Sequence, residues 1–484
     1  MQTRQILTAG LSLAVLGDVL FRAAPGINFL LWLVLLLSWT ARTSRISPFH
    51  SGLAVPILFF AGCIAWRDSS FLTLANTTAV LGLLTLPFTQ HAGVVLRCGT
   101  ISAYVRGVRR TFGSLWINTA RFLTADVPET FAASRAYRLS RPVAIGLAAA
   151  VPVGIVFLIL FASADPAFAQ AVQTVFQADP ADVFSHAFFA ACIGLASIGY
   201  LHGLAQPGER PSSATSTTHL NGFGIIEIAI PLTTLILIFG AFLAFQLPYF
   251  FGGLSVVEGT RGLNFATYAR KGFFELTTAS ALVVPVLLTA DRLLTSNTRD
   301  RKIFHRLAAI QIVLVGVLMI SALQRMGLYW QAYGLTTTRV YATAFMVWIG
   351  TVLAWFTVTV LRRRRKRFAF GAMVSGLCVL AALNFMNPDS VIARLNLARG
   401  VDNFDWDYAS QLSADAAVPL LKGLRVAPEA DRCYAAHLLS SGWNDPHADW
   451  RSWNIARYRA RAAAQRMTSS LDSYCDQYSS QAPP

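Results

Sequence analysis

Six ionisable residues interrupt or end the apolar runs of this 484-residue sequence, and they are the first side chains to consider for chemistry. They are Asp18, Asp165, Glu227, Glu275, Arg325 and Arg339. A charge in hydrocarbon is costly, so each of these residues either reaches the lipid headgroups or serves a function. Five of them lie toward the same side of the predicted membrane, and only Glu227 lies near the other side. Acids and bases at one depth could neutralise one another in a shared polar cavity.

The predicted polar site adds tyrosines to these charges. Its members are Asp165, Tyr268, Glu275, Arg325, Tyr329, Tyr333 and Arg339. Arg325, Tyr329 and Tyr333 are spaced by four, so a continuing helix places them on one face. Gly334 can end that helix in a left-handed conformation, and "TTTR" from Thr336 can start the next helix with a hydroxyl cap. The alternative stays open that these residues are ordinary interfacial side chains and caps.

The elements that must position these residues are membrane helices. The chain is 55% hydrophobic and 13% charged, with a mean hydropathy of +0.51, which is too apolar for a solvated surface. We predict an all-α polytopic bundle of about eleven spans, because a bilayer needs roughly 20 apolar residues per helix. The predicted spans are 6–21, 27–41, 49–66, 71–89, 142–163, 184–204, 222–247, 272–290, 307–324, 340–361 and 368–386.

Four regions follow from this pattern. Residues 1–96 hold four spans, and 97–141 mix arginine with apolar residues at helical spacing, which predicts an amphipathic cytoplasmic segment on anionic lipid. Residues 142–386 hold the other seven spans. Residues 387–484 form a small helical domain, with Asn387 as a cap, Pro388 opening the first helix and further helices near 411–424, 428–441 and 449–476.

The distribution of basic residues predicts the orientation. The chain carries a net charge of +16, but residues 387–484 hold 10 basic and 11 acidic residues, so the excess belongs to the membrane region and not to a nucleic-acid surface. With the N-terminus inside, 23 basic residues lie in inside segments and seven in outside connections. This asymmetry predicts a cytoplasmic N-terminus and an exported C-terminus. Residues 1–24 are predicted to be a retained helix, with a cleaved signal peptide as the alternative.

Other chemistries find little support in the sequence. No lysine follows glycine, so there is no phosphate-binding P-loop, and the scattered His and Cys show no zinc-like pairing. We therefore predict no metal and no cofactor. Cys433 and Cys475 are the only cysteines of the C-terminal region, and an oxidising compartment would let them pair. Their spacing alone leaves that pairing open.

Several motifs carry a family resemblance: "SADPAF" (163–168), "QLPYFFGG" (246–253), "YARKGFFEL" (268–276), "WQAYGLTTTRVYATAFMVW" (330–348), "NPDSVIARLNLARG" (387–400) and "DYASQLSADAAVPLL" (407–421). The chain resembles the bacterial integral membrane proteins of domain of unknown function 4173, with its relative 4153, from about Ala162 to Leu421. The resemblance implies a polytopic protein of the bacterial inner membrane. It implies no biochemical activity and no residue roles.

Three functions are compatible with these sequence features. The first is a non-catalytic envelope or signalling component that presents residues 387–484 to an exported protein partner. The second is a permease for a small solute or ion with an outward-facing polar cavity, for which polar residues in the middle of the spans are few. The third is a membrane-embedded enzyme acting on lipid or glycan, with Asp165 or Glu275 as the only available general bases. We favour the first, so the protein is predicted not to be an enzyme.

Overall fold

The computed structural model describes residues 2–44, 52–127, 180–206, 224–251, 273–294, 298–400, 404–443 and 449–466. These residues form helices and turns without a strand, which confirms the all-α prediction. Seven of the described helices are long and apolar enough to cross a membrane, as in an integral membrane protein. The predicted span 142–163 lies outside the described residues, and each of the other ten predicted spans contains a helix.

The helices of the membrane region are α1 Gln2–Phe21, α2 Ile27–Thr43, α3 Ala54–Trp66, α4 Ser70–His91, α5 Ile101–Arg121, α6 Pro180–Ala205, α7 Ile225–Phe251, α8 Phe273–Leu293, α9 Thr298–Tyr333, α10 Thr337–Thr359 and α11 Phe368–Met386. The C-terminal helices are α12 Pro388–Leu397, α13 Trp406–Ser410, α14 Ala417–Leu424, α15 Glu429–Trp443 and α16 over 455–466. We call the described residues from 387 onward the C-terminal domain.

Helix α9 is much longer than the span predicted at 307–324. Its 36 residues extend about 54 Å at 1.5 Å per residue, whereas a bilayer core is about 30 Å thick. The helix is therefore longer than the hydrocarbon core of a bilayer is thick. The hydropathy pattern missed the ends of the helix because they are polar: Arg301 and Lys302 lie near the first end, and Gln331 and Tyr333 near the second.

Two hydrophobic cores build the membrane region. One is formed by α1–α4 and α6, and the other by α7–α10. Helix α11 connects them, because Leu377 and Leu380 pack on the first core while its first residue, Phe368, is buried in the second. The N- and C-terminal halves of the bundle are thus joined along one helix.

The core of the C-terminal domain includes residues of the membrane region. Leu335 and Val340, from the start of α10 and the turn before it, are buried with Ile392, Trp406 and Leu420. Hydrophobic burial is the main stabilising term in folding, so the domain gains stability from its contact with the bundle. The domain is packed on the bundle and does not project from it as a free tail.

Helix α5 covers the first part of the predicted amphipathic segment, and residues 128–141 lie outside the described residues. Its small residues Gly107, Thr111 and Ser114 are buried against neighbouring helices. Phe112 and Trp116 lie exposed on the other side together with arginines of the same helix. The helix therefore has a packed face of small side chains and an outer face that is both apolar and basic.

Candidate functional site at the junction of bundle and C-terminal domain

Only part of the predicted polar site falls on described side chains. Asp165 and Tyr268 lie outside the described residues. Glu275 belongs to α8, but its side chain also lies outside them. Arg325, Tyr329, Tyr333 and Arg339 are described, and the last three come together at the end of α9.

Arg339 reaches back over the end of α9. Its guanidinium lies 4.0 Å from the ring centroid of Tyr329, whose ring in turn meets that of Tyr333 edge-on at 5.0 Å. It also donates to the backbone oxygens of Tyr333, at 3.3 Å, and Gly334. A cation is stabilised at a helix C-terminus, where backbone carbonyls lack partners. Arg339 therefore caps α9. This role explains why an arginine lies on the predicted outside, where the basic-residue rule expects few.

The turn after α9 follows the sequence prediction in one respect and not in another. Gly334 has φ +73°, as predicted for the left-handed residue that ends a helix. A side chain there would also meet Asn396, because an added Cβ would lie 2.8 Å from its Oδ1 atom. The predicted hydroxyl cap at Thr336 is wrong, since its side chain makes no capping hydrogen bond. The Tyr408 hydroxyl accepts from the backbone N–H of Thr337 instead, at 2.9 Å.

The C-terminal domain binds this turn with two more side chains. Asn396 accepts from the backbone N–H of Leu335 and donates to its carbonyl, both at 2.8 Å. Arg399 donates to the carbonyls of Trp330 and Gln331. These backbone groups lie in the last turn of α9 or directly after it, where the helix no longer supplies every group with a partner. We call the whole contact between this domain and the turns of the membrane region the junction.

A buried ion pair forms the second part of the junction, at the turn between α3 and α4. Arg67 Nη1 lies 3.1 Å from Asp415 Oδ1, and only 9% and 3% of the two side chains are exposed. Arg67 Nε also donates to the Asn384 carbonyl at 2.7 Å, and the other Asp415 oxygen accepts from the Asp68 backbone N–H at 2.7 Å. Each member of the ion pair thus makes a further hydrogen bond, which helps a buried pair to offset its desolvation.

Asp68 and Asn454 extend this network. The Asp68 carboxylate accepts from Arg457 Nε at 2.5 Å and from the Ala414 backbone N–H at 3.1 Å. Asn454 is almost fully buried and donates to the carbonyls of Ile64 and Arg67, both at 2.8 Å, at the end of α3. The side chains of the C-terminal domain therefore satisfy backbone groups of the membrane region.

The turn between α1 and α2 is a third contact of the junction. The Ile27 backbone N–H donates to the Trp453 carbonyl at 2.9 Å, and Arg451 Nη1 donates to the Val19 carbonyl at 2.6 Å. Gly26 allows this approach, because an added Cβ would lie 2.7 Å from the Trp453 oxygen. Three separate turns of the bundle thus hold one face of the domain.

A polar cavity of about 880 Å³ opens within the junction. It lies between the first turns of α4, α8 and α10 and the C-terminal domain. Its lining includes Ser69, Thr277, Tyr341, Asp389 and Arg457. None of the predicted site residues whose side chains are described lines it.

Two carboxyls of the junction have perturbed acidities. Burial raises the pKa of the Asp389 carboxyl above its ordinary value, the Ser413 hydrogen bonds oppose that rise, and the carboxylates of Asp415 and Asp68 add to it. Burial also raises the pKa of Asp415, although the hydrogen bond from Asp68 and the Arg67 charge act the other way. Both groups therefore bind a proton more readily than an exposed carboxyl.

Among the described residues, no group of three His, Cys, Asp or Glu side chains is arranged to hold a metal ion. Cys433 takes part in a disulfide bond, whereas Cys63, Cys98, Cys192 and Cys378 are free thiols. Cys475 lies outside the described residues, so its pairing with Cys433 stays a prediction.

Sequence reasoning missed the junction. Arg67 is only one of the seven basic residues that the orientation count placed in outside connections. At the start of α12 the sequence predicted the Asn387 cap, whose side chain does accept from the Ser390 backbone N–H. A carboxylate directly after Arg67 at the end of a span was the available signal. Nothing in the sequence links Arg67 to Asp415, which lies 348 positions later.

Comparison with known families identifies the family of the chain. The model of the family described as domain of unknown function (DUF4153) matches residues 54–423, roughly three quarters of the chain, so the chain belongs to that family. The match is to 4153, the relative named in the resemblance, and it begins at the third predicted span rather than near Ala162. No curated protein and no solved structure matches the chain.

Proposed function

We propose that this member of the DUF4153 family is a non-catalytic envelope or signalling component of the bacterial cytoplasmic membrane. Its N-terminus is inside, and its C-terminal domain is exported and seated on the outer ends of the spans. The domain couples an exported protein partner to the membrane bundle. The buried Arg67–Asp415 pair carries this proposal, because it ties the domain to a turn of the bundle.

The charge distribution along the bundle supports this orientation. The turns that contact the C-terminal domain all belong to the end that the basic-residue count assigns to the outside. The opposite end holds the arginine-rich segment after α10, where Arg365 pairs with Asp291 at 2.6 Å. Helix α5 lies at that cytoplasmic end as well, since Gly107 packs on Thr89 near the end of α4. Its arginines and aromatic residues fit the headgroups of anionic lipid.

Packing on the bundle allows the domain to respond to the membrane helices. A domain on a flexible tether only displays a surface, whereas a domain with a shared core responds to any movement of the helix ends beneath it. Coupling requires contacts that differ between two conformations of the protein, and a shared core can supply such contacts. Exposed residues of the domain, such as Val426 and Tyr434, are accessible to a partner.

Cysteine labelling in intact cells tests the orientation. In a chain whose free cysteines are replaced, Val426→Cys should react with a membrane-impermeant maleimide, because Val426 is 68% exposed. Trp116→Cys on α5 is the matched control and should react only after the cells are permeabilised. Labelling of the two sites in the reverse order would contradict the proposed orientation.

Photo-crosslinking tests the partner. A crosslinker at Val426 should capture one discrete exported protein, while the same crosslinker at Phe189 on α6, which is exposed on the bundle, should not. The Arg67→Met variant, which should release the domain from the bundle, should lose the crosslink. An absence of crosslinks from the domain, together with no phenotype on deletion of 387–484, would contradict the proposal.

The cavity favours a permease as the second candidate, because it opens between the first turns of three helices of the bundle. Gln311 is the notable polar residue deeper in α9, where it is fully buried. Uptake of solutes into vesicles containing the purified chain tests this alternative. Uptake that Gln311→Leu abolishes would favour the permease, and equal uptake with and without the protein would exclude it for the solutes tested.

A further inference from the structure

The cavity at the junction contains a buried carboxylate with an unused oxygen. Asp389 is 3% exposed and lines the cavity. Its Oδ2 atom accepts from the Ser413 backbone N–H at 3.2 Å and from the Ser413 hydroxyl at 2.5 Å, while its Oδ1 atom has no hydrogen-bond partner among the described residues. A buried acceptor without a partner is costly, so this atom is suited to a donor from a bound molecule.

Two long helices begin at the same cavity. Helix α4 has 22 residues and α10 has 23, and neither N-cap side chain makes a capping hydrogen bond. Ser69 instead hydrogen-bonds the Tyr341 hydroxyl at 2.8 Å, and of the first N–H groups of α10 that of Thr337 is taken by Tyr408. The remaining N–H groups of the first turns and the positive ends of the helix dipoles favour an anionic group.

The rim of the cavity is apolar and exposed. Phe71 and Phe345 line it with 48% and 43% of their surfaces accessible. Phe71 stacks on Tyr341 with 3.9 Å between ring centroids, and both belong to helices that are long and apolar enough to span a membrane. The opening therefore presents hydrocarbon-compatible surface beside a polar interior.

These three features describe a ligand with three parts: a cationic donor, an anionic group and an apolar body. We propose that the cavity binds the zwitterionic head of an ethanolamine phospholipid. The ammonium donates to Asp389 Oδ1, the phosphate lies at the N-termini of α4 and α10, and the acyl chains leave past Phe71 and Phe345. A volume of about 880 Å³ is within the range of small-molecule sites.

Other occupants fit the described residues less well. A divalent cation would need more ligands, and no suitable group of three His, Cys, Asp or Glu occurs among these residues. The second carboxylate of the lining, Asp68, is already bonded to Arg457 and to the Ala414 backbone. A simple anion would leave Asp389 Oδ1 without a donor.

Binding to the purified full chain in a non-ionic detergent tests the proposal. The probes are short-chain phosphatidylethanolamine, phosphatidylcholine and phosphatidylglycerol, together with free phosphoethanolamine. The readout is the shift of the unfolding midpoint with probe concentration, from which an apparent Kd follows. The choline head keeps its charge but has no N–H donor, and the glycerol head has no ammonium.

The ethanolamine lipid should bind at least about tenfold more tightly than the choline and glycerol lipids, because a hydrogen bond to a charged group is worth roughly tenfold to a hundredfold in affinity. Asp389→Asn should remove that preference, since it keeps an acceptor for Ser413 but loses the charge. Asp407→Asn, an exposed change in the same domain, is the control and should leave the preference intact.

Equal binding of the three lipids by the wild-type chain would overturn the proposal, and this comparison needs no variant. An unchanged preference in a folded Asp389→Asn protein would also overturn it. Free phosphoethanolamine that competes as well as the lipid would overturn the lipid assignment and leave a soluble zwitterion as the ligand. None of these results depends on the exported partner, whose test is separate.

Discussion

Removal of Arg67 should release the C-terminal domain from the bundle. Arg67→Met keeps most of the side-chain volume but leaves the Asp415 carboxylate buried and without its cationic partner. Loss of one member of a buried ion pair costs about 3–5 kcal/mol. The Arg67 hydrogen bond to the Asn384 carbonyl is lost as well, so the upper part of that range is expected.

Hydrogen exchange of the full chain in detergent measures this effect. The amides of α14 should exchange roughly a hundredfold to a few thousandfold faster in Arg67→Met, because each 1.4 kcal/mol of lost opening free energy is about tenfold in the equilibrium. Amides in the middle of α4 serve as an internal reference. Arg425→Met, at an exposed arginine of the same domain, should leave the exchange of α14 unchanged.

A second substitution separates charge from packing. Asp415→Asn, added to Arg67→Met, removes the unpaired charge and keeps an acceptor for the Asp68 backbone N–H. It should restore part of the protection of α14 and leave a deficit of about 1–3 kcal/mol, because the Asn384 carbonyl still lacks its donor. A change below tenfold in Arg67→Met, or no recovery in the double variant, would refute the reasoning that this pair seats the domain.

Three further predictions concern the junction. The pKa of Asp389 is higher in the folded than in the unfolded chain, so the folded state binds the proton more tightly. The free energy of unfolding should therefore fall as pH rises from about 4 through the raised pKa. Chemical denaturation across this pH range measures the fall, and Asp389→Asn should make the free energy of unfolding less dependent on pH. Arg339→Ala removes a charged donor from the end of α9 and should cost roughly 1.5–3 kcal/mol in the same denaturation, whereas a cost near zero would contradict its capping role. Asn454→Ala leaves the carbonyls of Ile64 and Arg67, at the end of α3, without this donor and should speed exchange of the amides of α16 at least about tenfold. Unchanged exchange would show that water replaces the amide.

The spans could be predicted from the sequence because a bilayer imposes length and polarity on each helix. Ten predicted spans contain helices, and single residues such as Gly334 and Asn387 ended or began helices as their chemistry indicates. The hydropathy span predicted for α9, 307–324, is too short because both ends of the helix are polar, whereas the four-residue spacing up to Tyr333 and the glycine after it did predict its C-terminal end. Local sequence thus predicted where the apolar helices lie, and hydropathy alone did not predict how far they continue.

The junction could not be predicted in the same way. The cap of α10 was expected from Thr336, one residue away, but Tyr408 supplies the acceptor from the C-terminal domain. Arg67 and Asp415, and Asp68 and Arg457, are each more than 300 positions apart, and no periodicity relates them. Such pairs depend on how two regions pack, which is a tertiary property. The polar cavity is lined from both regions and is a consequence of the same packing.

Electron cryomicroscopy of the full chain in nanodiscs that contain phosphatidylethanolamine tests the central claim most directly. The C-terminal domain should lie on the turns of the bundle, with Arg67 within hydrogen-bonding distance of Asp415. A C-terminal domain that is well resolved but separated from those turns, or that is seated with Arg67 and Asp415 apart, would contradict it.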